Sequence, residues 1–338
     1  MYQMQVLNWP ETWLLRLLLR NTRRMKTYTQ QQIVQKVGIN SQSLAIIESA
    51  FAALGRDQVT MPDILSMDIA ENNGEVDVKT AHIKGWKQFA IKISPGFFNN
   101  PSIGLPSLNG LMVLFSAHTG LVDAVLFDEG YLTDVRTALA GALASQYLAV
   151  TNAHHAAVVG AGAQARLQIE ALLLVRPITH LSVYARDLHK AQLFSQQMAA
   201  EFGLVANACS SVKEACRKAQ ILITTTPSTS PLVTLEDLPA GIHITAIGSD
   251  NPHKRELDKR LVTSVDLLVV DQITQSQTMG ELKEISIASL TILTLGNLIA
   301  QQQYPRINQQ QISLSDLTGT GVQDTAIACY ASQCLEPH

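Results

Sequence analysis

The sequence predicts an α/β chain: a Rossmann-type doubly wound parallel sheet joined to an α+β domain. From residue 156 onward short apolar strands alternate with helical stretches, the pattern of βαβ units. The turn Gly160-Ala161-Gly162-Ala163-Gln164-Ala165 follows the strand 156–159 and opens the helix 164–175, which Pro177 terminates. Between residues 76 and 127, β-branched and aromatic runs are punctuated by Asn72-Asn73-Gly74, Ser94-Pro95-Gly96 and Thr119-Gly120, which read as a mixed or antiparallel sheet.

Taken in order, residues 29–54 carry apolar positions at helical spacing, split by Gly38-Ile39-Asn40 into two helices. Strands follow at 76–83, 89–94, 111–116 and 121–127, and Thr133 is expected to cap a helix reaching about Leu148. The parallel sheet takes its strands from 156–159, 181–185, 221–225, 243–247 and 267–270. A helix is expected over 290–303, then a turn at 317–321. A last helix from Val322 returns to the first domain.

With 338 residues, 46% hydrophobic and 16% charged, the chain can bury a full core and has room for about two domains. Net charge is -3 and the basic residues are scattered, so no stripe for a nucleic-acid backbone is present. The cysteines at 209, 216, 329 and 334 lack metal-site spacing and disulfide-scaffold density, which fits a reducing cytoplasm. In the first 24 residues a leucine run is broken by Arg16 and followed by Arg20, Arg23 and Arg24. That segment is either an amphipathic anchor or an extension upstream of a true start at Met25. No segment reaches the ~18 unbroken apolar residues of a membrane span.

The glycine turn points to a dinucleotide. Gly160 permits the tight turn, Gly162 lets a pyrophosphate approach the backbone, and Ala165 keeps the helix close to the sheet. The helix start at Ala163 and Gln164 then offers free N–H groups to the phosphates. A glycine turn in an empty α/β unit is the alternative. Ala185 stands where an NAD site carries its acid, and Arg186 beside it suits a 2′-phosphate, so NADP is favoured over NAD. Asp187 as the ribose ligand, or a solvated Arg186, are the other possibilities.

Ligands of such sheets bind beyond the carboxyl ends of the strands. There, Thr225 and Thr226 are placed to lie against a nicotinamide, while Gly248-Ser249-Asp250 brings a carboxylate to the crevice unless Asp250 is only an Asx-turn residue. Arg136, three residues after Thr133, sits where a helix dipole disfavours a cation, so an anion should compensate it. That anion is either the carboxylate of an amino acid, gripped by paired hydrogen bonds, or one of Asp128, Glu129 and Asp134. Lys92 and Lys79 oppose the apolar faces of their strands; each is either solvated or turned into a cleft, where a lysine can transfer protons.

Several runs occur together in one order: GLPSLNG at 104–110, YLTDVRTALAGALAS at 131–145, GAGAQA at 160–165, AIGSDNPHKREL at 246–257, Gly280-Glu281, and DLTGTGVQDTAIA at 316–328. In these the chain resembles the ornithine cyclodeaminase and mu-crystallin family from Met25 onward, and the run 74–138 is similar to its ectoine-utilisation (EutC) branch. The resemblance implies a homodimer, with a substrate-binding and dimerisation domain from 25–148 plus 320–338 and a Rossmann domain over 149–319. It also implies an active-site lysine at Lys92, a substrate-carboxylate arginine at Arg136, Ser107 in place of a threonine near the substrate, and a proton-handling acid at Asp250. Thr225, Thr226 and Gly248 fall at the cofactor side.

Two departures from the family pattern bear on the substrate. Ornithine-specific members carry a glutamate thirteen residues before the lysine, where this chain has Lys79, and the arginine after the early proline is absent from Met61-Pro62-Asp63-Ile64-Leu65. Ornithine therefore fits poorly. An added cation suits a second carboxylate, as in an aspartate-like or iminosuccinate-like compound; a smaller cyclic imino acid is the other option. The expected activity is NAD(P)-dependent chemistry at the Cα–N bond of an amino or imino acid, by imine reduction or cyclodeaminase-type deamination. A cofactor-bound accessory protein without turnover is the reading from another class.

Overall fold

Strands whose side chains alternate between a buried and a half-exposed face build the first sheet of the computed structural model, which describes residues 25–336. β1 (Lys26–Thr29), α1 (Gln30–Val34), α2 (Ser41–Gly55), β2 (Val59–Thr60) and β3 (Leu65–Ile69) lead into the long hairpin of β4 (Gly74–Ile83) and β5 (Gln88–Phe97). β6 (Leu111–Ser116), β7 (Val122–Phe127) and α3 (Tyr131–Leu148) follow. Among the described residues this sheet has seven strands in the order β1-β7-β6-β5-β4-β2, with β3 also paired to β4. The extension over residues 1–24 lies outside the described residues.

The two helices expected over 29–54 are present, and ahead of them lies an unexpected edge strand: Lys26–Thr29 runs parallel to Ala124–Phe127. The four residues Lys-Thr-Tyr-Thr carry no apolar alternation to announce it. Helix boundaries follow local chemistry. Thr29 caps α1 in a reciprocal box with Gln32, and Asn40 caps α2 with Ser43. α3 starts two residues before Thr133, after Gly130 in the left-handed region, and the Asp128 carboxylate accepts from Leu132 N at 3.0 Å.

The parallel sheet is assembled from β8 (His155–Val159), α4 (Ala163–Leu172), β9 (His180–Tyr184), α5 (Leu188–Phe202), β10 (Val205–Ala208), α6 (Val212–Cys216), β11 (Ile221–Thr224) and β12 (His243–Ala246). α7 (Lys259–Ser264), β13 (Leu267–Val270), α8 (Ile273–Thr278), β14 (Ile292–Thr294), α9 (Leu295–Ala300) and β15 (Ser313–Asp316) complete it, before α10 (Gly321–Leu335). Its eight strands run β10-β9-β8-β11-β12-β15-β13-β14, all parallel. The doubly wound α/β class expected from the sequence is the class observed. β8 lies between β9 and β11, so the chain order reverses there and a crevice opens at their carboxyl ends.

The helix expected over 290–303 is a short strand followed by a short helix, because Thr294 caps α9 through Asn297 N. α9 packs on α2 closely enough that a Cβ on Gly55 would stand 2.1 Å from the Gly296 carbonyl oxygen. α10 crosses the inner face of β4 and β5 and also touches α2. Phe51, Leu114, Leu126, Leu139, Leu295 and Ile327 share that core. A separate cluster around Ile169, Leu181 and Met198 fills one side of the parallel sheet, and another around Leu222, Ile244 and Leu261 fills the opposite side. No helix of the described residues is long and apolar enough to cross a membrane.

Candidate active site

A cleft of about 920 Å³ lies where the two sheets meet at the strand ends. Its walls take Ser107, Arg136 and Glu75 from the first half of the chain, Thr225, Thr226, Gly248, Asp250 and Lys254 from the parallel-sheet loops, and Thr318 and Gly319 from the turn before α10. A second cavity of about 980 Å³ sits beside Trp86 and Tyr330, on the far side of α10. It contains neither the glycine turn nor any candidate residue. The smaller cleft is where the chemistry-bearing groups converge.

The glycine turn adjoins the cleft through Gln164 and Thr225, which line it. Gly160 has φ +121°, and a Cβ there would meet Thr225 Oγ1 at 2.5 Å, so the position requires glycine for both backbone and space. Gly162 precedes α4 with no side-chain cap and nothing within 4 Å of where a Cβ would be. That open cradle, facing the uncapped N–H groups of Ala163, Gln164 and Ala165, fits a dinucleotide pyrophosphate. Ala165 is fully buried, and Gln164 is held sideways by Asp134 at 3.2 Å. At the end of β9, Arg186 is exposed, and the Asp187 carboxylate accepts from His189 N at 2.9 Å as the cap of α5.

A fully buried carboxylate fixes the loops after β11 and β12. Glu256 accepts from Thr224 Oγ1 at 2.6 Å, from Thr226 Oγ1 at 2.7 Å and N at 2.5 Å, and from Gly248 N at 2.8 Å. It thereby ties the ends of β11 and β12 to one point. Burial pushes its pKa up to about 7, against the pull of those donors. Glu281 holds the backbone of Glu256 in turn, accepting at 2.8 Å, and Asp316 accepts from Glu281 N at 2.9 Å. Burial, with Glu281 next to it, holds Asp316 well above the usual carboxylate range.

Asp250 stands at the cleft mouth, about half exposed and paired with Lys254 at 2.7 Å. The Asx turn in its loop belongs to Asn251, whose side chain accepts from His253 N and Lys254 N. Lys283 braces the same loop by donating to Ser249 Oγ at 3.1 Å and to Asn251 O at 2.8 Å. Lys254 also lies 5.7 Å from the Phe98 ring centroid, linking this loop to the first sheet across the cleft.

At the cleft floor Arg136 is buried, and its partner is none of the nearby acids expected for it. Nε lies 3.0 Å from Asp324 Oδ1 in the first turn of α10, and Nη1 donates to Gln323 Oε1 at 2.9 Å. Because α3 begins at Tyr131, Arg136 sits past its first turn, and the dipole argument gives way to this tertiary contact. Asp128 instead caps α3, and Asp134 faces Gln164. Lys92 lies behind the arginine with Nζ 3.1 Å from Asp324 Oδ2. Burial lowers its pKa to about 8, against the attraction of Asp324. Burial alone would raise Asp324, but Lys92, Arg136 and Lys79 together hold it below the usual carboxylate range.

Lys79 is also buried. Its ammonium donates to Gly319 O at 3.3 Å and lies 3.9 Å from Asp77, and it does not line the cleft. Ser107 does line it, at the rim beside Leu108. Among the described residues no group of three His, Cys, Asp or Glu side chains is placed to hold a metal ion.

Sequence reasoning missed Asp324, Glu256, Glu281 and Asp316 as members of the site. All lie in runs that carry the family resemblance, and the signal available was electrostatic: buried cations on β4, β5 and α3 require a buried anion, and only a distant segment supplies one.

Residues 24–335 match the model of the ornithine cyclodeaminase/mu-crystallin family. The chain is 47% identical over 318 residues to an uncharacterised cyclodeaminase of Sinorhizobium fredii, covering 92% of this chain and 96% of the relative. It superposes on an archaeal alanine dehydrogenase dimer with bound NAD at TM-score 0.85 and 29% identity, covering 92% of this chain and 95% of that one. The Thermococcus litoralis Delta(1)-pyrroline-2-carboxylate reductase, solved with NADH and L-proline, matches at TM-score 0.85 and 26% identity, with 92% and 97% covered.

Proposed function

The chain belongs to the ornithine cyclodeaminase/mu-crystallin family, and from that premise we propose that it is a nicotinamide-dependent reductase of a cyclic imino acid carrying one carboxylate. The observation that carries this reading is Arg136, the one buried cation that lines the cleft, in a cleft that reaches the Gly160–Gly162 turn through Gln164 and Thr225; Lys254, the other lysine or arginine of the lining, is paired with Asp250. A bound nicotinamide cofactor supplies the hydride that reduces Cα. Arg136 holds the carboxylate through the Nη N–H groups not taken by Gln323, with Nε paired to Asp324. Lys92, buried behind the cleft wall and one carboxylate away from the clamp, is the proton carrier, and Asp250, which lines the cleft, faces the substrate at the mouth. Imine, reduced cofactor and one proton give the amine and oxidised cofactor.

Lys79 supports this choice over a dicarboxylate, because its ammonium is already bonded to Gly319 O and lies behind the cleft wall. The favoured cofactor is NADP: Arg186 is free to meet a 2′-phosphate while Asp187 is occupied as a helix cap. The same reasoning gives a homodimer. Met67, Val78, Ile91, Ile93, Val113 and Phe127 lie on the face of the first sheet opposite α10 and are half or fully exposed, a patch that suits a second copy. Light scattering should give twice the chain mass.

The test is to incubate the purified protein with NADPH or NADH and a panel of imino acids that includes Delta(1)-pyrroline-2-carboxylate, and to follow the nicotinamide absorbance. Loss with a cyclic monocarboxylate, abolished in Arg136→Ala with cofactor binding retained, supports the assignment. No loss with any member of the panel overturns it. Ammonia release from amino acids with catalytic NAD would redirect it to cyclodeaminase chemistry.

A further inference from the structure

We infer that Asp324 is a positioning residue that sets the clamp and the proton carrier together, so that substrate affinity and proton transfer are both controlled from the last helix. The inference rests on the reading just given. Asp324 is completely buried in the first turn of α10, and its two oxygens are divided between two cations, Oδ1 at 3.0 Å from Arg136 Nε and Oδ2 at 3.1 Å from Lys92 Nζ. No other carboxylate of the described residues is within ion-pairing distance of either cation.

The arginine fork is thereby oriented. With Nε on Asp324 and Nη1 on Gln323 Oε1, the remaining N–H groups of the guanidinium form the edge that meets the cleft, where Arg136 is a lining residue. The lysine is held at the same time. The groups that act on its charge are Asp324 from α10, Arg136 from α3 and Lys79 from β4, with Asp128 and Asp134 also within its field from around the start of α3. Asp324 is the one carboxylate in direct contact. Its negative charge keeps the ammonium protonated in a site whose other close neighbours are cations.

Asp324→Asn removes the charge and keeps the shape. The expected result is a KM raised about tenfold or more as the fork loses its anchor, and a basic limb of the kcat/KM pH profile displaced towards acid by about one unit or more. Asp324→Glu restores the charge with altered geometry. It should return the basic limb to near its wild-type position while KM stays raised. A purely structural role would lower activity in both variants without moving the limb, and that outcome overturns the inference.

The titration is also read without turnover, from the Cε resonance of Lys92 in 13C-lysine-labelled, cofactor-loaded protein, assigned with Lys92→Met. If wild type reduces no imino acid, the functional reading fails. If the Lys92 midpoint does not move in Asp324→Asn, this inference fails, whatever the substrate. Thermal melting and NADH binding of both variants identify any that do not fold, and for those the Lys92 resonance of Asp324→Glu decides.

Discussion

A Cβ on Gly319 would stand 2.3 Å from Nη1 of Arg136. The turn before α10 is thus pressed against the guanidinium, and it is pinned there by Gly319 N donating to Asp271 at 2.7 Å and by Gln275 donating to Gly319 O at 2.8 Å. With φ at +80° as well, alanine is opposed by both conformation and space. Gly319→Ala should cost about 1–3 kcal/mol of stability. It should also raise KM for the imino acid more than it lowers NADH affinity. Denaturation curves alongside steady-state kinetics check both.

The Lys92 ammonium gives a pH dependence with a defined sign. In the unfolded chain it titrates near 10.5, and in the folded protein burial lowers this to about 8. Imine reduction needs the protonated form, so kcat/KM should fall above about pH 8, while amino-acid oxidation should rise through the same point. Between 8 and 10.5 the unfolded chain holds a proton that the folded chain has released, so Lys92 makes stability increase with pH across that window. Denaturation midpoints of wild type and Lys92→Met should converge as pH rises through it.

Glu256 acts in the opposite direction. Its carboxyl titrates near 4.5 when unfolded and near 7 when folded, so the folded protein loses stability as pH rises between those values. Glu256→Gln should flatten that slope. The amide also turns its NH2 towards donors from Thr224, Thr226 or Gly248, which costs about 1–3 kcal/mol and loosens the loops after β11 and β12. Fluorescence titration with NADH should show weaker binding at an otherwise retained fold.

Cofactor choice is checked at the end of β9. If Arg186 meets a 2′-phosphate, Arg186→Ala should raise the Kd for NADPH about tenfold or more, in line with a lost hydrogen bond to a charged group, and leave NADH nearly unchanged. Equal effects on the two cofactors would assign Arg186 to solvent.

The parallel sheet was legible because its signals are local. Continuous apolar strands, a glycine turn at a strand end and a proline after the helix each act over a few residues, and the strands at 156–159 and 267–270 were placed to within a residue. The edge strand at Lys26–Thr29 and the late strands Ile292–Thr294 and Ser313–Asp316 were not, since their pairing is decided by distant partners. The same division runs through the site. Arg136 was singled out by a helix-dipole argument that fails once α3 is seen to start at Tyr131, and the anion beside it is neither Asp128, Glu129 nor Asp134 but Asp324 from a distant segment. Asp324 and Glu256 earn their places only when separate segments meet, which no periodicity encodes.

The return of α10 to the first sheet has a consequence for how the chain is made. Lys79, Lys92 and Arg136 leave the ribosome well before the helix that brings Asp324, with the whole parallel sheet translated in between. Until α10 emerges, the nascent first sheet holds cations without their buried anion and an inner face without its covering helix. The parallel sheet is free to fold as it appears, whereas the first sheet must wait for α10. A chain stalled or cut before residue 321 would therefore retain the glycine turn at the start of α4 and lack the carboxylate that Lys92 and Arg136 share.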